Sequence, residues 1–476
     1  MNLGQFFEFP LLLVPIAILL LIIVIVFIIV KKVRNKNSDL PKKEGMFRDL
    51  KGFFKKGNGD LRKRLYLTVA VLTLYIIGTT IEVPGTEEIT KNLGFLELLN
   101  IMGGGALKRF SIFGLGVIPY ITASIVIQLL QMDIVPYLSD LQKQGHTGKQ
   151  KINKITRYLG IGFAFIEGYA MSYAFLGQDY GVLGYLEVAF IMTAGTAFLL
   201  WLGDQVTQKG FGNGVSLLIM AGILASLPGT MKTAFETLIV TDATTALLIA
   251  GIAKFALFII VCILVVIGVI YIEGAKRQIP IQYANKSTET TLAKKTYMPI
   301  KLNSAGVIPV IFASSLLAVP ITVAQFVDKG GSGSFSNFVN NYLDYTTPVG
   351  LVLYVVLIIF FSYFYTFVQM KPDQMAKNLK DNGGYVPGII PGKDTEEFFS
   401  KLLIRLTTSG AVFLAALSAF PIILDAIMGL PQSVSIGGTG LLIVVGVSIE
   451  TYKQMESSLL SRSYTSATTR KRRARR

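Results

Sequence analysis

The chain has 476 residues, of which 52% are hydrophobic and 16% are charged, and its formal net charge is +16 at pH 7. A soluble protein carries about a quarter charged residues, so this composition excludes an ordinary soluble domain. The single cysteine, Cys262, excludes an intrachain disulfide, and the single histidine, His146, argues against a metal site or histidine-based catalysis.

Apolar blocks of about 20 residues recur along the chain, and this is the length that an α-helix needs to cross a hydrocarbon core. Lipid admits helices or closed barrels, and such continuous apolar runs differ from the alternating pattern of a barrel strand. The sequence therefore predicts an all-α polytopic membrane protein with eleven spans. They are predicted near residues 10–30, 64–82, 112–132, 156–176, 184–203, 214–229, 246–272, 303–326, 349–370, 402–424 and 438–456.

The Lys and Arg residues alternate between the connections of these spans. Most of the 45 lie in residues 31–64, 133–157, 204–213, 273–301, 371–405 and 450–476, and few lie in the intervening connections. Basic connections face the cytoplasm by the positive-inside rule. The pattern predicts an N-terminus outside the membrane and a C-terminus in the cytoplasm, and a missed span would break the alternation.

The two ends of the chain are read from their flanking charges. The first span is followed by basic residues, has none before it and lacks a small-residue cleavage site, which indicates an uncleaved anchor over residues 1–30. Residues 31–61 are basic and polar and predict a cytoplasmic linker. Residues 457–476 are again basic and predict a cytoplasmic tail.

The stretch GGGALKRFSIFGLGVIPYITASIVIQLLQ, which begins at Gly103, interrupts a helix and then continues into a span. Each glycine costs a helix up to about 1 kcal/mol relative to alanine, so three in a row indicate a hinge. Residues 93–109 lie on the outer side by the charge pattern, and they could fold back into the membrane. Non-helical backbone is tolerated there only inside protein or along a watery cavity. An ordinary exposed loop is the alternative.

Polar residues inside the spans are few. Gln128 needs a hydrogen-bond partner in lipid, such as Asn303 on another helix, or water. Glu167 and Lys254 are the clearest charged residues within spans, and snorkelling or packing against a partner explains them better than an ion relay does.

Three further spans also begin in glycine-rich segments. These are GFGNGVSLLIMAGI (210–223), NSAGVIPVIFASS (303–315) and SIGGTGLLIVVGVSIE (435–450), and each has β-branched residues or Leu and Ile just inside. Such helix starts predict either close helix packing or a narrow apolar constriction that excludes water and ions.

These segments, together with TAGTAFLLWLGDQVTQKGFGNGVS, IPIQYA and QMAKNLKDNGGYVPGIIPGK, resemble the SecY family, the channel subunits of the general protein translocase. The resemblance runs from about Leu61 to about Ser461. It implies a SecY-like hourglass of ten helices in two pseudo-symmetric halves, residues 62–240 and 241–456, to which this chain adds one N-terminal transmembrane helix. It also implies a channel that translocates unfolded secretory polypeptides across the bacterial cytoplasmic membrane and releases transmembrane segments laterally into it.

The resemblance assigns roles to particular residues. It implies an outer plug at about 93–109, a lateral gate between spans 112–132 and 303–326, and cytoplasmic loops, 273–301 and 371–405, that contact a ribosome or the SecA motor. The implied pore ring is Val117, Ile121, Val215, Ile219, Val307, Ile311 and Ile443. The implied plug includes Phe95, Leu96, Leu99, Gly103, Gly104 and Gly105, and the polar pair of the gate is Gln128 and Asn303. The implied ribosome or SecA contacts are Lys276, Arg277, Lys294, Lys295, Lys371, Lys377, Lys380 and Lys393.

The implied partners are the subunits SecE and SecG, the SecA motor, a ribosome with its RNA, the nascent polypeptide and membrane lipid. No cofactor, metal or catalytic activity is expected, because no base stands beside a nucleophile and the chain has no G-x-x-x-x-G-K-[ST] loop for ATP. A small-solute transporter and an intramembrane enzyme are the alternatives. A transporter would show charged or polar binding groups at mid-membrane, and these are nearly absent here.

Two features depart from the family pattern. Most bacterial relatives carry Arg before the second Pro-Gly of the last cytoplasmic loop, where this chain has Ile390, so the role of that Arg in coupling to the motor is in doubt here. Residues 1–60 lie outside the usual ten-helix pattern, and we expect them to serve as an anchor or as a contact for an accessory partner.

Overall fold

The computed structural model describes residues 59–86, 96–132, 134–176, 180–239, 245–283, 296–327, 333–344, 347–429 and 432–473. The predicted first span at 10–30 and nearly all of the predicted linker at 31–61 lie outside these described residues. The description that follows concerns the remainder of the chain.

The described part is almost entirely helical. Its first seven helices are α1 (Gly59–Gly78), α2 (Leu96–Met102), α3 (Ile118–Leu130), α4 (Pro136–Lys143), α5 (His146–Phe175), α6 (Gly181–Lys209) and α7 (Gly214–Leu238). The next elements are α8 (Thr245–Gly274), β1 (Lys276–Tyr283), β2 (Thr296–Lys301), α9 (Ile308–Val327), α10 (Ser334–Tyr342) and α11 (Pro348–Gln369). The last four are α12 (Pro372–Asp381), β3 (Gly384–Tyr385), α13 (Lys393–Met428) and α14 (Gln432–Arg473).

Each of the ten predicted spans within the described residues coincides with a helix: α1, α3, α5, α6, α7, α8, α9, α11, α13 and α14. By length and composition alone, α6, α7, α8, α11 and α13 can cross a membrane, and α3 and α9 are shorter apolar helices. The prediction of an all-α polytopic membrane protein is confirmed. α14 continues well past the predicted end of its span, so much of the predicted tail at 457–476 is helical.

The helix α3 is shorter than its predicted span, because the first part of that span forms turns instead of helix. Its 13 residues extend about 20 Å at 1.5 Å per residue, too little to cross a hydrocarbon core of about 30 Å. Residues 103–117 precede it as a series of turns, and most of their side chains are buried. This irregular backbone therefore lies inside the protein, where it is tolerated.

A small sheet on the cytoplasmic connections was not anticipated by the sequence analysis, which treated both segments as loops. β1 pairs antiparallel with β2 from Lys276–Lys301 to Ile281–Thr296, and β3 pairs with the other edge of β1. The alternation in KRQIPIQY explains the strand, because Ile279 and Ile281 are buried while Gln278 and Pro280 are exposed. These side chains form a separate apolar cluster with residues of α12 and α13, so the two connections make one folded unit.

The helices meet around the short helix α2. α2 packs against α7, α9 and α14, which lie far apart in the sequence. α3 packs against α5 and α9, and α9 also packs against α5. The largest apolar cluster of the molecule lies where these helices converge, and it contains residues from both ends of the described chain.

Candidate functional site

The predicted pore-ring residues come together in that largest apolar cluster. Val117, Ile121, Ile219, Val307, Ile311 and Ile443 are all buried members of it, and Val215 is half-buried and packs against it. They come from α3, α7, α9 and α14, or from the residue just before a helix. Four separate parts of the chain thus contribute apolar side chains to one buried cluster. Such an arrangement can exclude water from a narrow path, although their role as a pore ring stays a prediction.

The predicted plug packs against the same cluster. Ile101, Met102 and Leu107 are buried in it, and Gly103 is buried beside them. Gly104 and Gly105 have φ angles of +76° and +81°, which side-chain-bearing residues seldom adopt, so the glycines permit the turn that follows α2. Phe95 lies outside the described residues. Leu96 and Leu99 belong to α2, but their side chains lie outside the described part.

Two residues that the sequence analysis missed hold this segment in place. Asn100 is buried, and its side-chain oxygen accepts a hydrogen bond from the Lys108 backbone amide at 3.0 Å, which ties α2 to the turns after it. The Ser226 hydroxyl on α7 donates to the Ile101 carbonyl at 3.0 Å. The asparagine within the apolar run LELLNIM could have indicated the first contact. The second joins residues 125 positions apart, and no local pattern reports it.

Glycine on α7 allows the close approach of the plug. A Cβ atom added to Gly222 would collide with the Met102 carbonyl oxygen, and one added to Gly104 would lie 3.4 Å from the Gly222 Cα. Any larger residue at Gly222 would push the plug segment away from α7. The glycine of the segment LIMAGI is therefore required for the close packing of the predicted plug segment against α7.

We expect Ser226→Ala to loosen the plug. The variant removes the hydroxyl that binds the Ile101 carbonyl, a net loss of about 1 kcal/mol, so excursions of the plug should become about fivefold more frequent. The measurement is the frequency of brief openings of the idle channel in planar bilayers. Thr237→Val is the matched control, because its hydroxyl is exposed and bonds only within α7. Equal opening frequencies in the two variants would contradict a holding role for Ser226.

The predicted gate helices are neighbours, but their predicted polar pair is divided. α3 and α9 pack together, and we call their junction the lateral seam. The Gln128 amide nitrogen donates to the Ser124 hydroxyl at 2.9 Å, and its buried oxygen has no partner in the described part. The Asn303 amide donates to the Glu273 carboxylate at 3.0 Å and to the Gly306 carbonyl at 2.9 Å. The expectation that Asn303 could be the hydrogen-bond partner of Gln128 is therefore corrected: Gln128 bonds to Ser124, and Asn303 bonds to Glu273 at the end of α8 and to Gly306.

The contacts of Asn303 connect the start of α9 to two other helices. Glu273 is buried at the end of α8, and its backbone carbonyl accepts a hydrogen bond from Lys453 of α14 at 2.9 Å. A carboxylate buried at such a site is stabilised by the donors around it. The residue joining these helices, Glu273, was read in the sequence only as the edge of a basic connection.

The predicted partner contacts lie on the folded unit that the two predicted cytoplasmic connections form, which we call the cytoplasmic unit. Their environments differ. Lys276 and Arg277 on β1 are exposed, as are Lys377 and Lys380 on α12 and Lys393 at the start of α13. Lys371 is half-buried, and its amine donates to Gln142 at 3.2 Å. Lys294 and Lys295 lie outside the described residues. The exposed cations are the ones available to an anionic partner, whereas Lys371 already joins two cytoplasmic segments.

Ile390 lies at the tip of the second cytoplasmic loop. Its side chain is 70% exposed, and its carbonyl accepts a hydrogen bond from the Thr395 hydroxyl at 2.9 Å. Gly388 and Gly392 on either side have positive φ angles, so the tip is a tight turn. An apolar side chain is thus exposed at the tip of this predicted cytoplasmic loop.

Three further residues that the sequence analysis singled out are Glu167, Lys254 and Cys262. Within the described part, no group of three or more His, Cys, Asp or Glu side chains could hold a metal ion. Cys262 is buried in an apolar cluster of α7, α8 and α14, and Lys254 of α8 is exposed. Glu167 faces a cavity between α3, α5 and α9.

Comparisons with known proteins agree with this architecture. The SecY family profile matches residues 111–452. The chain is 47% identical over 433 residues to a protein of Staphylococcus aureus named protein translocase subunit SecY, covering 88% of this chain and 99% of that protein. The same-named protein of Staphylococcus epidermidis is 48% identical over 421 residues, covering 85% of this chain and 96% of that protein.

Solved structures with the same fold are more distant in sequence. A structure described as a protein-conducting channel has a TM-score of 0.62 and 21% identity, covering 88% of this chain and 94% of that one. Canine Sec61 in a ribosome–channel complex of the endoplasmic reticulum has a TM-score of 0.59 and 21% identity, with the same coverage. At this identity the likeness shows the fold.

Proposed function

The chain belongs to the SecY family, and we propose that it forms the channel through which a protein translocase moves unfolded polypeptides across a membrane. The observation that carries this proposal is the convergence of the predicted pore ring and the predicted plug in one buried apolar cluster. A transporter of small solutes would need polar groups at that point to bind its substrate. Here the converging side chains are Val and Ile, which bind nothing specifically and suit a cargo of variable sequence.

In the closed state, the ring and the plug act as two seals. The branched side chains of the ring leave a path too narrow and apolar for water, and ions do not enter such a path without water. The plug covers the ring from the outer side through α2 and the turns at 103–110. A translocating chain would displace the plug and then slide through the ring, whose side chains move without breaking hydrogen bonds.

The lateral seam provides a second exit. α3 and α9 each carry ring residues and also pack against each other, so separating them would open the ring toward lipid. A sufficiently apolar segment in the ring would then partition into the bilayer.

The energy for directed movement has to come from partners. We propose that SecA or a translating ribosome docks on the cytoplasmic unit, that SecE and SecG complete the complex, and that lipid covers exposed apolar side chains such as Ile249 and Leu264 of α8. The chain itself supplies a passage. The alternation of basic connections supports a bacterial cytoplasmic membrane location, with the N-terminus outside and the C-terminus inside.

The test is reconstitution. The chain is purified with its bound subunits, inserted into lipid vesicles and given a radiolabelled secretory precursor, SecA and ATP. We expect the precursor to become protected from external protease in an ATP-dependent manner, with vesicles lacking the chain as the control. A precursor that stays fully digestible in vesicles shown to contain the correctly oriented complex would overturn the proposal.

A further inference from the structure

A cavity of approximately 370 Å³ lies behind the lateral seam. We call it the seam cavity. α3 contributes Ile118 and Thr122, α5 contributes the stretch from Phe163 to Ala170, and α9 contributes the stretch from Ser315 to Val323. Most of its lining is apolar, and the polar members are Glu167, Thr122, Tyr169, Ser315 and Thr322.

Glu167 is the only charged residue that lines the seam cavity in the described part of the chain. It is half-buried, and no hydrogen bond or ion pair to it occurs among the described residues. It lies near the middle of the predicted span 156–176. An ionised carboxylate at such depth is costly unless a cation or a donor reaches it.

Two of the hydroxyl groups that line the cavity with Glu167 already donate their protons to backbone carbonyls. The Thr322 hydroxyl donates to the Ala318 carbonyl at 3.0 Å, and the Thr122 hydroxyl donates to the Ile118 carbonyl at 3.4 Å. Each hydroxyl oxygen is left as an acceptor. The two threonine oxygens therefore match a ligand that donates hydrogen bonds, and the carboxylate matches a positive charge.

The seam cavity adjoins the predicted pore ring. Ile118 and Thr122 directly follow the ring residues Val117 and Ile121 on α3, and Ser315 lies one helical turn beyond Ile311 on α9. A side chain leaving the ring between these helices would reach the cavity next.

We infer that Glu167 is a specificity-determining residue, which binds a lysine or arginine side chain of a transmembrane segment as that segment leaves through the lateral seam. The inference rests on the proposed function, since the segment has to arrive through the channel. It assigns to the seam cavity an occupant of stated chemistry: an apolar helix that carries one cationic side chain near its centre. The carboxylate and the hydroxyl oxygens replace the water that the cation loses.

The experiment compares two substrates in vesicles that contain the complete complex. One is an all-apolar transmembrane segment, and the other is identical except for one central lysine. The insertion efficiency of the lysine segment is divided by that of the all-apolar segment, and this ratio is measured for wild type and for Glu167→Leu. We expect the ratio to fall by about fivefold in the variant, the size of a polar contact between membrane helices. Glu187→Leu is the matched control, because Glu187 is an exposed acid on α6 outside the seam cavity, and we expect the wild-type ratio.

A charge exchange separates recognition from packing. Glu167→Lys is expected to reverse the preference, so that a segment with a central glutamate inserts better than one with a central lysine. If Glu167 had only a structural role, the variant would lower the insertion of both segments equally. An unchanged ratio in Glu167→Leu, or no reversal in Glu167→Lys, would overturn the inference while leaving the channel function intact. Failure of the wild type to insert even the all-apolar segment would instead overturn lateral release, and this inference with it.

Discussion

Replacing Ile121 and Ile443 together by asparagine is expected to make the idle channel leak ions. Both side chains are buried in the cluster where the ring residues converge, one on α3 and the other on α14. An amide there would lack partners, and each unsatisfied amide costs the closed packing about 1–3 kcal/mol. The double variant should therefore shift the balance between closed and open states by at least about tenfold, and the amides would also hold water in the constriction.

Single-channel recording in planar bilayers measures this leak directly. The matched control is Ile121→Leu with Ile443→Leu, which keeps the ring apolar and nearly preserves its volume. We expect the leucine variant to stay as quiet as wild type. If the asparagine variant is equally quiet, while its purified complex is intact, these residues do not seal the path.

The helices could be predicted from the sequence because two independent signals agree. Apolar blocks of spanning length gave the positions, and the alternating Lys and Arg residues confirmed their number and order. Both signals are local, and all ten spans within the described residues coincide with helices. The sheet could not be predicted in the same way. β1 is only eight residues long, and its second partner, β3, lies about 100 residues away in another connection.

The site was predictable only where a segment carries its own pattern. Glycine-rich helix starts indicated close packing or a constriction, and the resemblance to the SecY family then implied Val117, Ile219, Val307 and Ile443, which the structure places in one cluster. The contacts between segments escaped prediction. The bond from Ser226 to Ile101 and the bond from Asn303 to Glu273 each join residues that are separated in sequence. Such pairs depend on how the helices are arranged, and one sequence does not report this.

The second large expected effect is on ribosome binding, and it concerns the basic residues of the cytoplasmic unit. Lys276 and Arg277 are exposed and adjacent at the start of β1, and Lys276 lies directly opposite Lys301 on β2. Like charges that face each other across two strands repel, so this end of the hairpin favours an anionic partner. Orientation in the membrane requires only a modest basic bias in each connection, and this surface exceeds it. The negative charges of ribosomal RNA phosphates would pair with this excess of positive charge.

Changing both residues to glutamate is therefore expected to abolish most ribosome binding by the purified channel complex. Each contact between a cation and an RNA phosphate releases counterions, so wild-type affinity should fall steeply as salt rises. Losing two such contacts should reduce the slope of log affinity against log salt by about two. The measurement is cosedimentation of the complex with ribosomes across a salt series. Protease mapping of vesicles should show an unchanged orientation, since the other basic residues of the connection remain.

The matched control changes the same pair of residue types on the opposite side of the membrane. Lys108 and Arg109 are adjacent and exposed in the outer segment, so Lys108→Glu with Arg109→Glu alters the net charge by the same amount. Only the cytoplasmic pair should affect ribosome binding, because short-range contacts and not the total charge hold the RNA. Binding that ignores salt and tolerates the reversal of Lys276 and Arg277 would reduce these residues to topology signals. Equal losses in both double variants would instead assign the effect to net charge.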